Sequence, residues 1–136
     1  MKAAAIQLKD LNGHTVNLDA YKGKTIFINF WAAWCKPCIA EMPSIEAAQK
    51  LFNENEVAFL LASCEGIEEI ETFKASKHFN FNYFSAENCE ALNIQSLPTT
   101  MIFDKIGQLV FSETGARNWA DSSSINLITK ISKQDD

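Results

Sequence analysis

The chain has 136 residues, 47% of them hydrophobic, and a formal net charge of −5 at pH 7. These values fit one folded domain over residues 1–136 and exclude an intrinsically disordered chain. The negative charge, without any basic run, also excludes nucleic acids and anionic membrane surfaces as expected partners. No apolar stretch is long enough to span a bilayer, and the N-terminus lacks the apolar region of an intact signal peptide. We therefore expect a domain that either acts in the cytosol or follows a removed signal.

The first half of the chain predicts a hairpin, a buried strand and a helix. Residues 4–18 alternate between apolar and polar on both sides of Asn12-Gly13, a strong hairpin turn signal. The nearly continuous apolar run Thr25–Phe30 predicts a central strand that is buried on both faces. Apolar residues at helical spacing then predict a helix that begins just after Cys35 and ends near Asn53.

The second half predicts alternating strands and helices. The predicted elements are a strand at Val57–Ser63, a helix at Ile67–Lys77, a short strand at Phe79–Phe84, a short helix capped by Ser85 and running to about Leu92, strands at Thr99–Phe103 and Leu109–Thr114, and a C-terminal helix at Ser122–Ser132. This order implies an α/β layer fold with a mixed central sheet covered by helices.

The stretch Trp-Cys-Lys-Pro-Cys joins the buried strand to the first helix, at residues 34–38. Two cysteines three residues apart at a helix start lie within disulfide reach. Cys35 would lie at the helix N-terminus, where free N–H groups and the helix dipole stabilise a thiolate. Thiols in such positions have pKa values of roughly 3.5 to 7.5. We therefore predict that Cys35 is the nucleophile and that Cys38, one turn on and covered, resolves the mixed disulfide.

This cysteine pair has two alternative interpretations, half of a zinc site or two inert core cysteines. A four-thiolate zinc site would also need Cys64 and Cys89, which show no second Cys-x-x-Cys spacing. The position of the pair between a strand and a helix favours redox chemistry. We assign no metal ligand and expect no cofactor besides the redox-active disulfide.

Four segments resemble the thioredoxin superfamily, and most of all its TlpA/ResA branch of extracytoplasmic thiol-disulfide oxidoreductases. They are the active-site segment FINFWAAWCKPCIAEMPSI, the N-terminal hairpin LKDLNGHTVNLDAYKGK, the cis-proline strand and hairpin LPTTMIFDKIGQLV, and the segment TGARNWA before the last helix. Together they span almost the whole chain. The resemblance implies a thioredoxin fold, with a mixed central β-sheet flanked by helices, an extra N-terminal β-hairpin and a β-α insertion.

The resemblance also makes Pro98 a cis-proline that faces the two thiols. A proline that opens a strand removes one backbone donor, so the neighbouring Leu97 backbone can pair with an extended substrate segment. The alternative is an ordinary trans proline at a strand start. Around the cysteine pair, Trp34 is expected to form a partly exposed apolar surface for docking. Lys36 is expected either to favour the thiolate or to be an ordinary exposed loop lysine. We assign Pro37, a tolerated first-turn proline, to substrate binding with these residues.

Glu41 is the predicted proton carrier. It lies three residues after Cys38, on the adjacent turn of the same helix face, where a carboxylate can take or return the proton of the buried thiol. The branch carries a glutamate here with that proposed role. Classical thioredoxins instead have a buried aspartate six residues before the first cysteine, and this chain has Asn29, which cannot titrate. The alternative is a solvated glutamate in the first helical turn.

Cys64 ends an apolar strand, and Cys89 lies on the apolar face of the predicted short helix. Buried free cysteines are common small hydrophobic residues, and we expect both to be of this kind. A Cys64–Cys89 disulfide in an oxidising compartment, or a role as auxiliary redox thiol, stays open.

We therefore expect a thiol-disulfide oxidoreductase that acts on proteins as a reductase, with an upstream thiol electron donor and as a monomer. The resemblance implies a periplasmic or otherwise extracytoplasmic site, with a membrane anchor in a longer form, and roles such as cytochrome c maturation or periplasmic redox homeostasis. A thiol peroxidase is one alternative, but it predicts a nearby Pro and Thr before the reactive cysteine, and the segment before Cys35 has neither. A redox-inactive binding module is the other, and retention of both cysteines argues against it.

Overall fold

The computed structural model describes residues 1–134. Within that range the strands are β1 (Gln7–Lys9), β2 (Thr15–Asn17), β3 (Thr25–Trp31), β4 (Val57–Ser63), β5 (Asn82–Ala86), β6 (Thr99–Phe103) and β7 (Leu109–Thr114). The α-helices are α1 (Lys36–Lys50), α2 (Ile67–Ser76) and α3 (Ser122–Ser132). Short 3-10 turns at Ala3–Ala5 and Leu18–Tyr21 flank the first hairpin. None of the described helices is long and apolar enough to cross a membrane.

The strands form one mixed sheet in the order β2-β1-β5-β4-β3-β6-β7. β3 pairs in parallel with β4, and β4 with β5, whereas the other neighbours are antiparallel. Every residue of β3 is buried, as its apolar run predicted. Because parallel strands end at the same edge of a sheet, the segments that follow β3, β4 and β5 leave the sheet side by side.

Alternation along β3 divides its side chains between two cores. Phe27 and Trp31 belong to the core that also holds the buried apolar residues of all three helices. Ile26, Ile28 and Phe30 point to the other face, which the N-terminal segment and residues 89–97 cover. The active-site helix therefore packs on the Phe27 face of the sheet.

Most predicted elements are confirmed, including the hairpin and the bounds of β4, β6, β7 and α3. Helix α1 ends at Lys50 rather than near Asn53, and the strand predicted at Phe79–Phe84 lies further along, at Asn82–Ala86.

The predicted short helix capped by Ser85 is wrong. Ser85 lies inside β5, where it pairs with Ser63 and Lys9, and its hydroxyl donates to the Glu65 carbonyl at 2.7 Å. Residues 89–93 form turns, in which the bond from Leu92 N–H to Asn88 O has α-helical spacing but is not continued along the chain. The β-α insertion thus has its strand but lacks its helix, because the serine that resembled a cap is already paired in the sheet.

Candidate active site

The cysteine pair lies where the spacing placed it, at the start of α1. Cys35 is the residue before the first helical turn, and its Sγ accepts a hydrogen bond from the Cys38 N–H at 3.3 Å. Pro37 occupies the first turn, where its missing N–H leaves no helical bond unmade. Cys35 and Cys38 form a disulfide, with their Cα atoms 5.3 Å apart. The buried disulfide is the oxidised state of a dithiol whose first sulfur receives an N–H from the helix start.

Pro98 lies at the edge of the sheet from which the active-site loop leaves β3. The Leu97–Pro98 peptide bond is cis, as the resemblance implied. In the antiparallel register of β3 and β6, Asn29 pairs with Thr100 and Phe30 with Thr99. The next step of this register brings Pro98 opposite the last residue of β3, where the active-site loop begins.

Leu97 offers backbone groups at this edge. Within residues 1–134, neither its N–H nor its C=O has a hydrogen-bond partner. Its half-buried side chain packs against both cores, one of which contains Cys35 and Cys38. Free backbone groups beside a reactive disulfide are what an extended polypeptide needs to pair alongside it.

Glu41 is buried, with 3% of its surface exposed, so the alternative of a solvated first-turn glutamate is wrong. Its Oε1 accepts a hydrogen bond from Asn29 Nδ2 at 3.0 Å. Its Oε2 accepts two more, from the Arg117 backbone N–H and the Trp119 Nε1–H, both at 2.9 Å. Burial raises the pKa of Glu41 above its ordinary value of 4.5, and the three donors limit that rise. The carboxyl group on the active-site helix is therefore shielded and held in one orientation.

Asn29 reaches Glu41 because of the alternation in β3. It lies between Phe27 and Trp31 on the face that α1 covers, and its Nδ2 donates to Thr100 Oγ1 as well as to Glu41, both at 3.0 Å. At the position where classical thioredoxins carry an aspartate, this chain therefore has an amide that binds the glutamate. The sequence identified the lost acid but not the contact that replaces it.

Sequence reasoning missed Trp119 and Arg117, which lie in the segment between β7 and α3. Trp119 is 1% exposed, and its ring packs edge-on against Phe27 with centroids 4.8 Å apart. The Arg117 guanidinium lies 4.9 Å from the centre of the Trp119 ring. The one signal in the sequence was an aromatic residue inside the otherwise polar and small segment TGARNWA.

Trp34 is the most exposed large hydrophobic residue near the cysteines, with 73% of its surface exposed. It borders a groove of about 610 Å³ between the active-site loop and α2, which Ala33, Ile39, Glu65, Glu69 and Phe73 also line. Lys36 and Pro37 are exposed at the start of α1. These residues form an accessible surface around an otherwise buried disulfide.

Cys64 and Cys89 form a second disulfide, with Cα atoms 6.2 Å apart, so the prediction of buried free cysteines is wrong. Cys64 is exposed and Cys89 half-buried. The physical reason is the parallel pairing of β4 with β5, which brings the residues after both strands to one edge. The four sulfurs form two separate disulfides rather than one cluster. Residues 1–134 hold no group of three or more His, Cys, Asp or Glu that could hold a metal ion.

A disulfide at the start of a helix, with a cis-proline at the neighbouring strand, defines the thioredoxin-like thiol-disulfide oxidoreductases. The chain belongs to the AhpC/TSA family, whose model matches residues 1–112. It is 32% identical over 119 residues to the thiol-disulfide oxidoreductase ResA of Geobacillus kaustophilus, covering 84% of this chain and 68% of that protein. It is 36% identical over 112 residues to the thioredoxin-like protein YneN of Bacillus subtilis, covering 78% and 65%. The chain thus spans about two thirds of the length of these relatives.

Solved structures support the fold. A thiol:disulfide interchange protein of the thioredoxin family from Chlorobium tepidum superposes with a TM-score of 0.76 at 22% identity, covering 97% of both chains. The pneumococcal exposed lipoprotein thioredoxin from Streptococcus pneumoniae gives a TM-score of 0.72 at 24% identity, covering 91% of this chain and 96% of that one. The thioredoxin fold is thus confirmed, and the chain is a thiol-disulfide oxidoreductase.

Proposed function

We propose that this protein reduces disulfides in other proteins, with Cys35 as the nucleophile and Cys38 as the resolving thiol. The observation that carries the proposal is the disulfide at the start of α1, whose first sulfur accepts the Cys38 N–H. The same N–H stabilises a thiolate on Cys35 when the pair is reduced, and the thiolate is the species that attacks disulfides.

The reaction proceeds in two exchanges. The Cys35 thiolate attacks one sulfur of the substrate disulfide, forms a mixed disulfide and releases the first substrate thiolate. The Cys38 thiolate then attacks Cys35 Sγ and releases the second. The substrate gains two electrons, the Cys35–Cys38 disulfide is closed again, and an upstream dithiol donor must reduce it for the next cycle.

Glu41 is the proposed proton carrier of the second exchange. Cys38 is fully buried and must lose a proton before it attacks, so the proton needs a nearby acceptor that bulk water does not supply. The buried carboxyl of Glu41, one turn further along α1 and with a raised pKa, fits that role. It is thereby a candidate catalytic residue together with the two cysteines.

Substrate polypeptides are proposed to lie between Trp34 and Leu97. Trp34 offers an exposed apolar surface, with Lys36 and Pro37 beside it, and the backbone of Leu97, next to the buried cis-proline Pro98, offers the strand-like edge. We also propose that the protein works outside the cytoplasm. The Cys64–Cys89 disulfide supports this location because such bonds persist in oxidising compartments, and one structural neighbour is described as an exposed lipoprotein.

The reductase proposal is tested by the equilibrium of the purified chain with glutathione and by its catalysis of insulin reduction. We expect a reduction potential near the thioredoxin value of about −270 mV, whereas a value near about −120 mV would overturn the direction. Cys35→Ser should abolish catalysis, and Cys38→Ser should accumulate a mixed disulfide with the substrate. Peroxide consumption by the same preparation checks the thiol peroxidase alternative.

A further inference from the structure

The second disulfide joins two segments that border the catalytic pair. Cys64 directly follows β4, and β4 pairs in parallel with β3 so that Ser63 lies beside Trp31, the last residue before the active-site loop. Cys89 begins the segment that runs to Leu97 and the cis-proline, and that segment packs on the second core. The Cys64–Cys89 bond therefore links the end of β4, which lies beside the active-site loop, to the segment that leads to Leu97 and the cis-proline.

Glu65 extends this link to the loop itself. Its Oε1 accepts a hydrogen bond from the Ala33 N–H at 2.8 Å and another from Ser63 Oγ at 2.9 Å. Its own backbone is fixed twice, because its N–H donates to Ser63 Oγ and its C=O accepts from Ser85 Oγ. A carboxylate that is immobile at its backbone can hold the N–H that it accepts in one place.

Ala33 lies two residues before Cys35, and the Cys35 N–H donates to Ala32 O at 3.1 Å. The hydrogen bond from the Ala33 N–H to the Glu65 carboxylate therefore fixes the active-site loop two residues before Cys35. At the start of α1, Cys35 Sγ receives the Cys38 N–H. A looser loop would let the sulfur leave that N–H, so a smaller fraction of Cys35 would be thiolate at a given pH.

We propose that the Cys64–Cys89 disulfide and Glu65 form a positioning unit for the active-site loop, which keeps Cys35 in its reactive place without taking part in thiol exchange. The inference rests on the proposed function, since it concerns the reactivity of Cys35 as a nucleophile. Cys64, Cys89 and Glu65 act here through Ala33 rather than on the substrate.

The test measures the alkylation rate of Cys35 against pH in a Cys38→Ser background, where Cys35 is a free thiol and peptide mapping confirms that Cys64–Cys89 is closed. Added to this background, the double change Cys64→Ser with Cys89→Ser should move the half-maximal rate to higher pH. At about pH 6 the rate should be at least about threefold lower, because less of Cys35 is thiolate. Glu65→Ala should have the same effect.

Glu65→Gln is the conservative variant, since its amide oxygen can still accept the Ala33 N–H. It should retain the parental midpoint or move it slightly lower, because a negative charge has been removed. Glu68→Ala is the matched control, an exposed glutamate three residues further along the chain, in α2. It should leave the curve unchanged.

Two results would overturn the proposal. One is an unchanged titration curve in both Glu65→Ala and the double serine variant. That result would mean that the second disulfide stabilises the fold without affecting Cys35. The other is an equal shift to lower pH in Glu65→Ala and Glu65→Gln, which would assign the effect to the removed charge rather than to position. If the double serine variant does not fold, the two Glu65 variants decide. Failure of the proposed function is a separate result, because the unmodified chain would then not catalyse insulin reduction.

Discussion

The indole N–H of Trp119 donates a hydrogen bond to Oε2 of Glu41 at 2.9 Å, across 78 residues of sequence. Glu41 belongs to the active-site helix and Trp119 to the segment that leads into α3. The proposed proton carrier is therefore oriented by a part of the chain remote from the cysteine motif. Its protonation depends on how the end of the chain packs against the helix, as well as on burial.

Glu41→Gln should lower the pH at which the alkylation rate of Cys35 is half-maximal. The change removes a negative charge from the active-site helix, and a nearby like charge disfavours a thiolate by up to about one pH unit. The measurement is the rate of alkylation against pH in a Cys38→Ser background. Glu46→Gln, which removes the only other acidic side chain of α1, is the control and should leave the midpoint in place. An unchanged midpoint in Glu41→Gln would contradict the proposed role.

Trp119→Phe should reduce the free energy of unfolding at pH 7 by about 1.5–3 kcal/mol, the usual range for a hydrogen bond to a charged group. Loss of this donor raises the pKa of Glu41 further, so the protonated form is favoured in the folded state. Because the folded-state pKa of Glu41 is raised, stability is lost as pH rises through that pKa. The difference in free energy of unfolding between the variant and the parent should therefore decrease on acidification.

Chemical unfolding of Trp119→Phe at about pH 7 and about pH 4.5 measures this difference. The same substitution in a Glu41→Gln background is the control. There the charged acceptor is absent, so the effect of Trp119→Phe should be smaller. Equal effects in both backgrounds would show that the tryptophan acts through packing alone.

Asn29→Asp should make stability fall steeply with pH. The new carboxylate would replace the amide nitrogen that lies 3.0 Å from Glu41 Oε1, and two carboxylates at that distance share a proton. Their raised pKa in the folded state means that the pair is tolerated at low pH and becomes destabilising as pH rises. In thermal unfolding between about pH 5 and pH 8, the melting temperature of the variant should fall further below that of the parent as pH rises. Asn29→Ala, which introduces no charge, should show a much weaker dependence, and parallel curves for the two variants would contradict the shared proton.

Trp34→Ala should slow the reduction of a protein disulfide several-fold and leave the rate of exchange with glutathione unchanged, because only the protein substrate is large enough to contact the exposed Trp34 side chain. Since the side chain is 73% exposed, the free energy of unfolding should change by no more than about 0.5 kcal/mol. Leu51→Ala is the matched control, an apolar side chain that is 65% exposed at the opposite end of α1. If Trp34→Ala changes the rate relative to the parent by the same factor with the protein disulfide and with glutathione, Trp34 is not part of the docking surface.

Local patterns predicted most of the fold and the reacting atoms. The spacing of Cys35 and Cys38 and a proline in the first turn placed the disulfide at a helix start, and an apolar run placed β3 in the centre of the sheet. The errors lie where a local signal competed with pairing in the sheet. Ser85 resembled a helix cap, but its strand pairs with β4 and β1, and its hydroxyl is taken by the Glu65 carbonyl.

By itself the sequence determined which groups stand at the start of the helix: the two thiols, their unequal positions, and the glutamate one turn away. Only the tertiary structure decided how that chemistry is held in place. The partners of Glu41, the Cys64–Cys89 bond and the Glu65 contact with Ala33 join residues that are 12 to 78 positions apart. Spacing along the chain reports on neighbours within a turn or a strand, whereas these contacts depend on which strands pair and on which face each side chain lies.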